Sequence, residues 1–264
     1  MYRVLPQGSR CRAEFEELLK PFGSSRRAAL KQTGAVVALA PVLGVSALAQ
    51  AQRAPTLYVF VQSEVKAAPL ERALTAKLGG LAITVFGKHR DLEQALSAAP
   101  PDALLAAEAV LTKQRIAPAI EGLRSDKSWE PYVLLFLENV TPDSLDGKTV
   151  GVVDMLGRDD MQTLVETVLG SKRIKIKRVS KLEDLLSLLL FSAADAVLAG
   201  ASAAQLIQQR SRLPLKAKEI MGSRLGLPAV GILNQHAREN VTRAVLSMDS
   251  TLNRMLGIER WRAR

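Results

Sequence analysis

Cysteine, histidine and aromatic side chains are the scarce residues of this 264-residue chain. One cysteine, Cys11, excludes an internal disulfide, and two histidines, His89 and His236, are too few to build a His/Cys zinc site with it. Aromatic residues amount to 4%, which leaves little for stacking on nucleobases. Also missing are a G-x-S-x-G nucleophile elbow, a G-x-x-x-x-G-K phosphate loop, a dinucleotide fingerprint and any His-rich metal pattern. No catalytic residue, metal ligand or cofactor is therefore expected. The acid pairs Asp159-Asp160 and Glu183-Asp184 fall at predicted helix starts, where the helix dipole alone accounts for them. Outside the N-terminal segment, the longest apolar block, Leu185 to Ala201, contains Asp195 and divides into a helix end and a strand, so it is not read as a membrane span.

What is present is an ordinary globular composition, 48% hydrophobic and 23% charged, long enough for one large core or two modest ones. The formal charge of +10 invites a nucleic-acid reading. Residues 1–51, however, hold seven of the 36 Lys/Arg and three of the 26 Asp/Glu, so the remainder carries only +6. Those charges are scattered along the chain, the pattern of a solvated basic surface and not of a nucleic-acid face.

The N-terminal segment has its own logic. Ser25-Arg26-Arg27-Ala28-Ala29-Leu30-Lys31 resembles the twin-arginine export signal, with Ala29 where Phe is common. The apolar stretch from Ala35 to Ala49, interrupted by Pro41, has the length of a signal h-region and is too short to span a bilayer. Small residues at Ala47 and Ala49, or Ala49 and Ala51, supply an A-x-A cleavage pattern. The expectation is export to the periplasm with cleavage near Ala49 or Ala51, and no stable membrane insertion afterwards. A Sec-type signal and an uncut anchor remain as alternatives, and residues 1–23 read as a long n-region or an upstream extension.

From residue 54 onward, β-rich and helical patterns alternate. Strands are predicted at 54–62, 82–86, 102–107 and 132–137, with helices at 70–78, 91–98 and 108–114 between them and a polar connection at 122–130. A second run follows: strands at 149–153, 174–179, 194–198 and 216–220, with helices at 159–169, 182–190 and 203–209. A strand at 227–233, helices at 235–247 and 249–256 and a basic end complete the chain. Such alternation predicts an α/β protein of two lobes, each a mostly parallel sheet flanked by helices. The expected division is lobe one over 52–142, lobe two over 143–224, and a return strand with C-terminal helices over 225–264 that pack on lobe one.

Three features carry a family resemblance: VTPDSLDGKTVGVVD (140–154), the paired segments DALLAA (102–107) and DAVLAG (195–200), and LPAVGIL (227–233). In this order they resemble the crossover, lobe strands and return strand of type II periplasmic solute-binding proteins, nearest to the phosphate, phosphite and phosphonate branch of ABC-importer receptors. The resemblance implies a two-lobe periplasmic binding protein-like II fold. It also implies a non-enzymatic, monomeric receptor that closes over a small solute and presents it to an ABC permease. The turn from Asp154 to Asp160 has no hydroxyl where that branch usually carries Ser or Thr. The expected solute is therefore small and polar or anionic, with phosphonate and phosphate among the candidates. A sensor-partner or degenerate receptor of the same fold is the alternative, and an exported enzyme on this fold a lesser one.

In open α/β sheets ligands gather beyond the carboxyl ends of strands, where helix N-termini offer unpaired N–H groups. That rule selects Gln62, Ser63, His89, Glu108, Asp154, Gly157, Arg158 and Ser202 as candidate ligand-binding residues. Several have simpler readings beside the functional one: Ser63 and Ser202 as helix caps, Asp154 as a turn residue, and Arg158 and His89 as surface side chains.

Overall fold

In the computed structural model the described residues are 53–137, 145–170 and 173–264. The export motif, its cleavage sites, Cys11 and the 140–144 part of the crossover motif lie outside them. In chain order the elements are β1 (Thr56–Phe60), α1 (Ala67–Lys77), β2 (Ala82–Val85), α2 (His89–Ala98), β3 (Ala103–Ala107), α3 (Glu108–Lys113) and β4 (Pro118–Leu123). Then come β5 (Trp129–Leu137), β6 (Thr149–Val153), α4 (Arg158–Leu169), β7 (Lys175–Val179), α5 (Glu183–Leu190), β8 (Ala196–Gly200), α6 (Ala201–Arg210) and β9 (Leu215–Gly226). The chain ends with β10 (Pro228–Ile232), a short 3-10 turn, α7 (Arg238–Leu246), α8 (Ser250–Met255) and β11 (Arg260–Ala263).

The strands form two sheets, β11-β4-β10-β3-β1-β2 and β7-β6-β8-β5-β9. Each is mixed: β1, β2 and β3 run parallel, as do β6, β7 and β8, while β10, β4, β11, β5 and β9 are added antiparallel. The two-lobe α/β class stands, and the strands flanking the crossings between lobes, together with the C-terminal β11, account for the antiparallel share. β3 sits inside its sheet and β8 inside the other, and all five residues of each are buried, which is why both read as unbroken apolar runs without alternation.

Lobe one packs β1, α1 and β3 against the C-terminal helices, with Leu57, Leu70, Leu74, Leu105, Val241 and Leu252 in one buried cluster. Burying a side chain of this size contributes roughly 1.5–3 kcal/mol, so the last forty residues are part of this core and not an appendage. In lobe two, Gly151 on β6 lets α5 approach: a β-carbon there would sit 2.6 Å from Leu188 Cδ1.

Two strands were not legible. The segment 122–130 is not one polar connection. It holds the end of β4, a tight turn closed by the Arg124–Lys127 bridge with Ser125 and Asp126 at positive φ, and the start of β5. β5 then pairs with β8 and β9, so it belongs to the second sheet and the first crossing between lobes falls near residue 125, ahead of the expected boundary at 143. The return crossing lies beside it, where Leu227 N donates to Ser128 O at 2.9 Å. The basic C-terminus is the edge strand β11. Its Arg262 donates to Glu121 at 2.9 Å and Arg264 pairs with the same carboxylate, which is only 6% exposed on β4.

Candidate functional site

The loops at the carboxyl ends of β1 and β2 face those after β6 and β7, and a cavity of about 360 Å³ lies between them. Its inner surface is apolar. Phe60 and Leu70 from lobe one meet Val153, Met155, Leu182 and Ile207 from lobe two, all buried. Its rim is charged and exposed, with Glu64, Lys66, Lys88 and Asp91 on one side and Lys181, Glu183 and Arg210 on the other. Four of these rim charges cancel locally or across the mouth. Arg210 donates to Glu64 at 2.7 Å from one lobe to the other, and Lys181 lies 3.6 Å from Glu183.

The expected site residues divide into two groups. Gln62, Ser63 and Asp154 line this cavity. Ser63 is already engaged, its hydroxyl donating to Met255 O at 2.7 Å and accepting from Val65 N at 3.0 Å, a local turn bond. Asp154 accepts from Gly157 N at 2.8 Å and from Arg178 at 2.7 Å, so one carboxylate closes the turn before α4 and holds the end of β7. That turn needs Gly157, whose φ of 83° favours a residue without a β-carbon.

The other five lie elsewhere. Arg158 is exposed at the first position of α4, away from the cavity. His89 is buried, only 5% exposed, and forms part of a contact between lobes. Its Nε2 lies 3.4 Å from Lys113 Nζ and 3.3 Å from Glu93, and its ring stands edge-on to Phe60 at 6.1 Å. Burial holds its pKa below 6.5, with Glu93 pulling the other way and the Lys113 charge adding to the depression, so His89 is neutral near pH 7. A β-carbon at Gly157 would meet this ring at 3.3 Å, a second reason for glycine there.

Lys113 is the residue that sequence reasoning missed. From the end of α3 it reaches the N-terminal end of α4, donating to Leu156 O at 2.7 Å, pairing with Asp160 at 3.2 Å and with Glu93 at 2.6 Å. Partial burial works against its charge, but these two carboxylates hold its pKa above the ordinary value. Beside it Met155 and Leu156, both buried, continue the apolar cluster of lobe one formed by Phe60, Leu104 and Ala106. Met155, Leu156 and Lys113 therefore close part of the contact between the lobes, and the cavity adjoins it at Met155.

Ser202 and Glu108 complete the picture. The N-terminus of α6 is covered by Glu130, a buried acid of β5: its carboxylate accepts from Ser202 N at 3.1 Å and Ser202 Oγ at 3.0 Å, and from Arg124 at 3.2 Å. Gly200 permits this approach, because a β-carbon there would overlap Glu130 Oε1. Arg124 also donates to Gly257 O, which ties the crossing, lobe one and α6 together. Glu108 packs in the same way over Gly226. The only trace of Glu130 in the sequence is a single acid at the head of the apolar run PYVLLFL, at the end of the expected polar connection.

Among the described residues no cluster of His, Cys, Asp and Glu could hold a metal ion, and no helix is long and apolar enough to cross a membrane.

No family model matches the sequence, and no curated protein sequence matches it. Solved structures do match. An ancestral arginine-binding protein bound to arginine is similar at 17% identity with a TM-score of 0.55, over 78% of this chain and 98% of that one. The VFT2 domain of Bordetella pertussis BvgS, in a double-mutant form, is similar at 14% identity and a TM-score of 0.53, over 78% and 93% of the two chains. The substrate-binding protein of an amino acid ABC transporter gives 17% and 0.51, over 76% and 96%. At these identities the likeness establishes the two-lobe periplasmic binding protein-like fold and nothing finer.

Proposed function

We propose that this protein is an exported, periplasmic solute-binding protein without catalytic activity, which takes a small solute into the cavity between its lobes and presents it to an ABC permease. The observation that carries this reading is the cavity of about 360 Å³ walled by both lobes, within the size range of small-molecule sites. A solute held there touches β1 and β2 loops on one side and β6 and β7 loops on the other. It therefore favours the closed arrangement by its differential affinity for it, which is how ligand-driven hinge closure works. The fold it shares with an arginine-binding protein and an ABC-transporter substrate-binding protein is compatible with this role. A phosphate or phosphonate ligand draws less support, because Asp154, Asp159 and Asp160 stand at the α4 turn without an adjacent hydroxyl.

One observation favours a second reading, a protein of the same fold that engages a sensor protein and carries no solute. The N-termini of α4 and α6 are covered by the chain's own Asp154, Lys113 and Glu130. Differential scanning fluorimetry of residues 52–264 decides between the two. Amino acids, dicarboxylates, aliphatic monoacids, phosphate and phosphonates are tested up to 10 mM, beside a Leu206→Trp variant that fills the cavity. A concentration-dependent rise in melting temperature that the variant lacks is the expected result. A panel that moves nothing removes the receptor reading and leaves the partner reading.

A further inference from the structure

The distribution of polarity inside the cavity restricts what can occupy it. Its depth offers buried apolar groups, Phe60, Leu70, Val153, Met155, Leu182 and Ile207, and every charge on its lining except Asp154 is at the exposed rim. Asp154 is committed to Gly157 N and to Arg178. A solute charged at both ends would have to bury one charge against Val153, Leu182 and Ile207 with no free counter-charge, and an unpaired buried ion is strongly disfavoured. A solute charged at one end avoids this.

The rim indicates which sign. Glu64 is paired with Arg210, and Glu183 with Lys181. Among the described residues this leaves Lys66, Lys88 and Asp91 as the lining charges without an ion pair, two cations against one acid, with the half-buried Gln62 amide beside them. At roughly 30 Å³ per water-sized group, 360 Å³ admits about twelve non-hydrogen atoms.

Resting on the reading of this cavity as a solute site, we propose that its ligand is an aliphatic monocarboxylate of medium length, its chain on the Phe60, Val153 and Ile207 surface and its carboxylate at the rim near Lys66 and Lys88. This departs from arginine, the ligand bound in one of the similar structures.

The test is binding of octanoate to residues 52–264 by calorimetry and fluorimetry, beside octylamine, 1-octanol, L-arginine, L-glutamate and phosphate. Octanoate is expected to bind at least tenfold more tightly than any of the others. Lys88→Gln is expected to weaken octanoate several-fold while leaving 1-octanol unchanged, and Leu206→Trp to abolish both without altering the far-ultraviolet circular dichroism. Arginine or glutamate binding in preference to octanoate, with loss in Leu206→Trp, overturns the monocarboxylate assignment and leaves the receptor reading standing. Octylamine binding as well as octanoate overturns the assignment of an anionic head. No binding by any probe removes the receptor reading and this inference with it.

Discussion

Replacing Glu130 by alanine tests whether the chain's own carboxylate holds the two lobes in register. Glu130 is 8% exposed and serves three donors: Ser202 N, Ser202 Oγ and Arg124 Nη1. Losing a helix N-cap costs about 1 kcal/mol, and losing a charge-assisted hydrogen bond about 1.5–3 kcal/mol. The Arg124 side chain is 29% exposed, so water recovers part of the second amount, and the total is about 3 kcal/mol. For a domain of this length that lowers the melting temperature by about 6–12 °C. Glu130→Gln keeps the shape and one acceptor and is expected to lose about half as much. Urea unfolding of residues 52–264 followed by circular dichroism measures both. Gly200→Ala supplies an internal check. Its β-carbon would overlap Glu130 Oε1 and stand 2.7 Å from Leu225 Cδ2, so its penalty is expected to shrink in the Glu130→Ala background. A Glu130→Ala protein within 0.5 kcal/mol of the parent, or strictly additive penalties, refutes the assignment of Glu130 as the cap that joins the crossing to α6.

Two further outcomes are expected. The Arg262 and Arg264 hydrogen bonds offset the burial of Glu121 and hold its pKa below 4.5, so its contribution is complete above pH 4.5 and is lost as pH falls through the lower folded value. Arg262→Ala with Arg264→Ala leaves a buried carboxylate alone; the pair is expected to cost about 2–3 kcal/mol at pH 7 and to move the acid-unfolding midpoint upward, and an unchanged midpoint removes the argument. For export, changing Arg26 and Arg27 to Lys is expected to retain the precursor inside the cell on fractionation; normal secretion of that variant sinks the twin-arginine reading.

The amino-acid sequence by itself determined the alternation of strands and helices. Local pattern suffices to mark β1 to β3 and β6 to β8: β3 and β8, inside their sheets, read as unbroken apolar runs, the edge strands β2 and β7 as short β-rich runs between helices, and the helices as single apolar stripes. It also marked Gln62 and Asp154, since strand carboxyl ends are positions along a chain. What local pattern could not supply was which sheet a strand joins. β5 looks like any buried strand, and only its pairing with β8 and β9 assigns it to lobe two. β4 and β11 were hidden because their polar residues, Glu121, Arg262 and Arg264, satisfy one another across 141 positions of sequence or more.

The same limit governs the site. Lys113 and Glu130 act on α4 and α6 from distant segments, and His89 is buried by a lobe that its neighbours in sequence do not reveal. Tertiary contact decided that Met155, Leu156 and Lys113 close part of the contact between the lobes, and that the cavity adjoining Met155 has an apolar depth and a charged rim. Residue types and their order along the chain set which strands and helices form. Where charge and space remain between them depends on which distant side chains are brought into contact.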